Sequence, residues 1–199
     1  MDEWDKTLAN SALLIWDIQY GIASKAFNLN DILGKIKSLR EVAHSLGKPV
    51  IYTQTTGLPY EYQSKFSKYR LRRRGVDPRT ANFMLEGSHD WQILDEIIPD
   101  TNDIVIKKYT PSLFVGTNAE QLLINSGVDS LIITGVSTEN GVETTARHAS
   151  CLGFIPVVAE DAVGSGDKLA HESSLIAMRR MFELRRTDEI LQTFKNPLR

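Results

Sequence analysis

Two charged residues stand where apolar runs end. Asp17 follows Leu13–Trp16 (LLIW), and Lys108 closes the run Ile104–Lys108 (IVIKK). A carboxylate and an ammonium held close favour each other's charged form, whereas burial favours the neutral forms. That opposition lets a carboxyl group exchange protons near neutral pH. On position alone, a structural ion pair or two unrelated charges at loop starts fit equally well. A third feature is the turn Ser137–Gly141 (STENG), which links the apolar run Ser130–Thr134 to a helical segment closed by Gly153. Such a turn is a common place for a nucleophile, yet this one holds no cysteine and no serine–base pair. The chain's one cysteine, Cys151, lies near the far end of the following helix.

The elements that must position these residues alternate. Ser11–Ile18 is a short apolar run, as expected of a strand buried on both faces. Asn30 or Asp31 caps a predicted helix to Leu46, with Ile32, Ile36, Leu39 and Ala43 on one face. Further strands are predicted at Pro49–Gln54, Asp103–Lys107, Ser130–Thr134 and Ile155–Glu160, with a short last one near Leu184–Arg186. Thr117 and Glu120 have the spacing of a capping box. A further helix fits Leu169–Phe182, and Thr187 starts a small terminal one. Gly47, Gly127 and Gly153 each end a helix just before a strand. Buried strands alternating with amphipathic helices predict an α/β fold with a parallel sheet covered on both faces. Ligands of such sheets bind at the C-terminal edge of the strands, where Asp17, Lys108 and the turn belong.

The interruption is Thr55–Gly87, rich in Tyr, Arg, Gly and Pro and without sustained periodicity. Long loops in compact domains are usually functional or contact-forming. Arg72, Arg73 and Arg74 suit a substrate carboxylate or phosphate, or, as the favoured reading, a solvated or subunit-interface turn.

The 199 residues predict one domain, 1–199, with 42% hydrophobic and 24% charged residues. A net charge of −2 gives no bulk electrostatic reason to expect nucleic acid or a membrane surface. No apolar run reaches the roughly 20 residues a membrane helix needs. A single cysteine and the polar start MDEWDKTLAN point to a cytoplasmic protein without a signal peptide.

Three segments in order, LLIWDIQ, IKKYTPSLFVGT and ITGVSTENGVETTARHA, resemble the isochorismatase-like hydrolases, also called the cysteine hydrolase superfamily. The resemblance runs from about Ala12 to about Glu189. It implies a three-layer α/β/α fold with a largely parallel six-stranded sheet, and a catalytic aspartate, lysine and cysteine. The aspartate corresponds to Asp17, followed by Ile18 and Gln19. The lysine lies six residues before a phenylalanine, here Phe114, which selects Lys108 over Lys107. Thr134, Gly135, Val136 and Val142 match the family's turn, and the nucleophile's position is Gly141. The turn thus resembles a nucleophile turn whose nucleophile is missing. The resemblance also implies a cis peptide at Val136–Ser137 and turn N–H groups serving as an oxyanion hole. Cys151 cannot substitute: ten residues further along the helix, it is about 15 Å away and about 80° off the face. It is expected to be a small buried packing residue.

Without a thiol the acyl-enzyme route is closed. Isochorismatases resemble this chain in carrying glycine at that position. By that precedent Asp17 protonates a vinyl carbon, Lys108 balances charge, and water adds to the oxocarbenium ion. Gln19, Phe114, Val136, Ser137 and Asn140 are the candidate substrate-binding residues, with Tyr109 and Glu139 nearby in sequence. No metal or other cofactor is expected, because the segment after the second strand lacks histidine and the four histidines form no ligand-spaced cluster. The favoured reading is a hydrolase of a small metabolite. The alternatives are a catalytically silent ligand- or partner-binding scaffold and, behind it, an amidohydrolase of the N-carbamoylsarcosine or ureidoacrylate type. A homodimer or homotetramer is expected, formed through exposed helices and the Tyr- and Arg-rich loop.

Overall fold

A computed structural model describes residues 3–195; the ends of the expected domain, 1–2 and 196–199, lie outside the described residues. Six strands form one sheet in the order β3-β2-β1-β4-β5-β6, and every pairing is parallel. They are β1 Ser11–Trp16, β2 Val50–Thr55, β3 Ile104–Lys108, β4 Ser130–Val136, β5 Ile155–Gly164 and β6 Glu183–Arg185. The helices are α1 Glu3–Ala9, α2 Tyr20–Ala23, α3 Leu29–Ser45, α4 Lys65–Arg73, α5 Ala119–Asn125, α6 Glu143–Cys151, α7 Lys168–Met178 and α8 Thr187–Lys195. The chain winds outward from β1 in both directions, so the strand order reverses between β1 and β4. The crevice beyond their C-terminal ends is where such sheets bind ligands.

Alternate residues of each strand feed two cores. Leu13, Ile15, Val50 and Tyr52 pack with α3 and α8, while Ala12, Leu14, Trp16 and Ile51 pack with α5, α6 and Met178 of α7. This is the three-layer α/β/α arrangement, and its two-sided burial explains why the strands read as continuous apolar runs.

Several expected boundaries shift. The first strand ends at Trp16 rather than Ile18, because Asp17 turns out of the sheet at φ 44. The capping box at Thr117 does not form. Asn118 is the N-cap, and the Thr117 hydroxyl instead donates to the Leu113 carbonyl and accepts the Ala119 N–H. β5 continues past Glu160 to Gly164, carrying the chain into the crevice, and α7 stops at Met178 rather than Phe182. The segment read as aperiodic contains α4, a helix of 9 residues that buries none of them. It is started by the Ser64 hydroxyl, which accepts the Ser67 N–H at 3.0 Å. Cys151 is a correction: it is exposed at the end of α6, on a face turned away from the sheet.

Candidate active site

Asp17 and Lys108 meet. Lys108 Nζ lies 2.7 Å from Asp17 Oδ2, although 91 residues separate them in sequence. Asp17 is 4% exposed and Lys108 1%. The two leave the sheet from β1 and β3, with β2 between them, so the gap is two inter-strand spacings, about 10 Å. The long lysine side chain bridges it. The middle strand supplies the link: Thr53 and Thr55, two apart, present hydroxyls on one face. The Thr53 hydroxyl donates to Asp17 Oδ1 at 2.6 Å and accepts the Asp17 N–H at 3.0 Å. The Thr55 hydroxyl donates to Asp17 Oδ2 at 2.7 Å and accepts from Lys108 Nζ. Lys108 completes its set with the Thr110 carbonyl at 3.3 Å. Burial pushes the Lys108 ammonium below its ordinary value, and the neighbouring Asp17 opposes that shift.

The Gln19 backbone N–H donates to the Asp17 carbonyl at 2.8 Å, but its side chain is bonded elsewhere than to the Asp17 carboxylate. Its side-chain NH2 donates to the carbonyls of Thr55 and Trp91, at 3.1 and 2.6 Å, and its oxygen accepts the Thr55 N–H at 2.8 Å. Fully buried, it pins the end of β2 and so positions Thr55. Phe114 is also inside, stacked on Phe154 at 6.0 Å and edge-on to His148, while Tyr109 is exposed.

The turn after β4 faces the same crevice. The Val136–Ser137 peptide is cis, as the resemblance implied, and Thr138–Val142 forms a single π-helical turn. Val136 is buried, Ser137 half-buried and Asn140 exposed. The Ser137 carbonyl accepts the N–H groups of Asn140 and Val142, at 3.2 and 3.3 Å. Gly141 is buried, and a Cβ built on it would stand 1.8 Å from Trp16 Nε1 and 2.2 Å from Cε2. Lys108 Nζ is 4.1 Å from the centroid of that same indole. Trp16 therefore lies between the turn and the ion pair. Sequence reasoning missed it as a site residue because a tryptophan ending an apolar strand reads as core. Thr53 and Thr55 were missed as well; hydroxyls at alternate positions of a strand end were the available signal.

Behind the turn, the Thr138 hydroxyl donates to the Gly164 carbonyl at 3.0 Å, so it accepts from His171 Nδ1 at 2.8 Å. His171 thus carries its proton on Nδ1. It is buried against the turn, and burial lowers its pKa from 6.5 while Glu139 and Glu172 oppose the shift. A lowered folded value means that the unfolded chain binds the proton more readily. The stability tied to neutral His171 is complete above pH 6.5 and is lost as pH falls through the lower folded value. His171→Asn, which keeps a donor near Nδ1, is expected to lose less stability than the parent between pH 7.5 and 5.0 in thermal melts.

Arg72, Arg73 and Arg74 are exposed at the end of α4, and among the described residues none pairs with an acid or contacts Asp17. His44 lies with Asp100 and Asp103 at the opposite edge of the sheet, a grouping across about 60 residues that sequence spacing did not show. Its two ring nitrogens face different carboxylates, Nε2–Asp103 at 2.7 Å and Nδ1–Asp100 at 3.4 Å, so the ring bridges the acids.

Residues 11–189 match the isochorismatase domain family. The chain belongs to the isochorismatase family of hydrolases. It is 30% identical over 186 residues to the isochorismatase family protein YecD of Escherichia coli O157:H7, covering 91% of this chain and 94% of that one. It is 28% identical over 195 residues to the ureidoacrylate amidohydrolase RutB of Enterobacter sp. (strain 638), covering 87% and 84%. In fold it is similar to a cysteine hydrolase from Pseudomonas syringae pv. phaseolicola 1448A, with TM-score 0.81, 18% identity and 95% and 94% of the two chains covered. It also resembles the pyrazinamidase of Pyrococcus horikoshii in complex with zinc, with TM-score 0.75, 22% identity and 89% and 99% covered. Among the described residues of this isochorismatase-family chain, no helix is long and apolar enough to cross a membrane.

Proposed function

We propose that this isochorismatase-family protein hydrolyses a small metabolite by proton transfer from Asp17, without a covalent enzyme intermediate. The observation that carries this reading is the buried Asp17–Lys108 contact at 2.7 Å beside a turn whose position 141 has no side chain. The relative RutB is a ureidoacrylate amidohydrolase. Amide hydrolysis through an acyl-enzyme needs a nucleophile that Gly141 does not supply. Vinyl-ether hydrolysis does not need one. Asp17, holding a proton, gives it to the vinyl carbon, and the ether oxygen stabilises the resulting cation. Water adds to that cation, its proton returns to Asp17, and the hemiketal collapses to a ketone and an alcohol. The hydroxyls of Thr53 and Thr55 and the Lys108 ammonium support this role by holding the Asp17 carboxyl group in one place at the end of β1.

The test is pyruvate release from isochorismate by the purified protein, with Asp17→Asn beside it. Release by the parent is expected, with a loss of at least about 100-fold in the variant, the usual scale for removing a general acid. Equal release from both would end the assignment of Asp17. The lack of a side chain at position 141 favours a second reading, a silent ligand-binding scaffold, which the buried Asp17–Lys108 pair opposes. That reading gains if no vinyl ether is turned over.

The protein is expected to be cytoplasmic and to act on a small molecule rather than on nucleic acid or a membrane. α4 buries nothing of its own, and Tyr62, Phe66 and Tyr69 are exposed around it. This supports a homodimer or homotetramer, which a mass above the monomer in light scattering would check.

A further inference from the structure

We propose that Trp16 is the specificity-determining residue of this site: its indole occupies the place that a side chain at position 141 would take. The site is thereby confined to chemistry without an enzyme-bound intermediate. The geometry is direct. A Cβ on Gly141 would overlap three indole atoms, with Nε1, Cε2 and Cζ2 at 1.8, 2.2 and 2.6 Å. Real Cβ atoms do not approach so closely, so one group must leave before the other can enter. The indole has nowhere to go. It is 1% exposed, it belongs to the core facing α5 and α6, and Lys108 Nζ stands 4.1 Å from its centroid. Trp16 and Gly141 are therefore a matched pair, one large and one without a side chain.

The pairing has a chemical consequence. A thiol placed at 141 after the indole is removed would enter the space bordering the Lys108 ammonium, where thiolates are favoured. The proposal rests on the non-covalent reading above only in the use it assigns to the site; the packing stands without it.

The experiment uses thermal melts and alkylation by iodoacetamide. The thiolate introduced by Gly141→Cys attacks the methylene carbon of the reagent, a C–S bond forms and iodide leaves. All variants carry Cys151→Ser, because Cys151 is exposed and would be labelled too. Gly141→Cys alone is expected to lower Tm by several degrees and to be labelled slowly. Adding Gly141→Cys to Trp16→Val is expected to cause no further fall in Tm. Labelling in that double variant should be at least about 10-fold faster, with a rate midpoint below the ordinary thiol value of about 8.5. If Trp16→Val does not fold, Trp16→Leu serves, since the sign of the coupling is what decides. The proposal is overturned if Gly141→Cys leaves Tm unchanged and is labelled as fast as the double variant. It is overturned equally if Gly141→Cys lowers Tm as much with valine at 16 as with tryptophan. Neither readout involves hydrolysis, so a failure here and a failure to release pyruvate are separate results.

Discussion

Lys108→Met is expected to lower stability by about 3–5 kcal/mol, because it leaves the Asp17 carboxylate buried without its counter-charge. For a chain of this size that corresponds to a fall in Tm on the order of 10 °C. Lys108 is 1% exposed, and its Nζ has three acceptors: Asp17, Thr55 and the Thr110 carbonyl. The variant leaves the carboxylate only the hydroxyls of Thr53 and Thr55 and its remaining contact with solvent. The informative comparison is the double variant Asp17→Leu/Lys108→Met. Replacing both members of a buried pair by apolar groups is often close to neutral, so most of the loss should be recovered. Denaturant titrations of the parent, the two single variants and the double variant measure this directly. A double variant as unstable as the sum of the singles would show that the two groups do not compensate each other. A stable but inactive double variant would separate the chemical use of the pair from its structural one.

Gly135→Ala is expected to cost more than about 3 kcal/mol, combining a left-handed backbone with overpacking. Gly135 has φ 101, and a Cβ there would stand 2.1 Å from the Trp16 carbonyl oxygen and 2.7 Å from its nitrogen. These are backbone atoms, so no side-chain rotation relieves the clash. The two residues are partners in the β1–β4 register, where Asp17 and the turn both leave the sheet. Damage at this point would therefore splay the crevice itself. Gly47 is the control: its φ is 63 but it has nothing within 4 Å, so Gly47→Ala should cost only about 1 kcal/mol. Equal losses for the two variants would mean that the close approach of β1 and β4 at Gly135 is not what glycine serves there.

Much of this architecture was legible in the sequence. Each strand was expected within a few residues of its place, because a strand buried on both faces needs an apolar run. Gly47, Gly127 and Gly153 marked helix ends because each takes a positive φ that other residues resist. α4 was not legible. It is short and strongly basic and packs no face into the core, so Phe66 and Tyr69 were its only large aromatic signal at helical spacing. Cys151 was misplaced because a residue-type tendency toward burial stood in for the helix face that decides it.

The sequence by itself determined the succession of the strands and of α3, α5, α6, α7 and α8, and that Asp17, Lys108 and the turn would emerge at one edge of the sheet. These follow from local apolar pattern and from glycine, which act within a few residues. Only the tertiary structure decided who meets whom. Strand order set β2 between β1 and β3, making Thr53 and Thr55 the bridge of the ion pair. The close approach of β4 to β1 placed the Trp16 indole in the space beside Gly141. Contacts of this kind depend on distances between strands far apart in the chain, and no local pattern carries them.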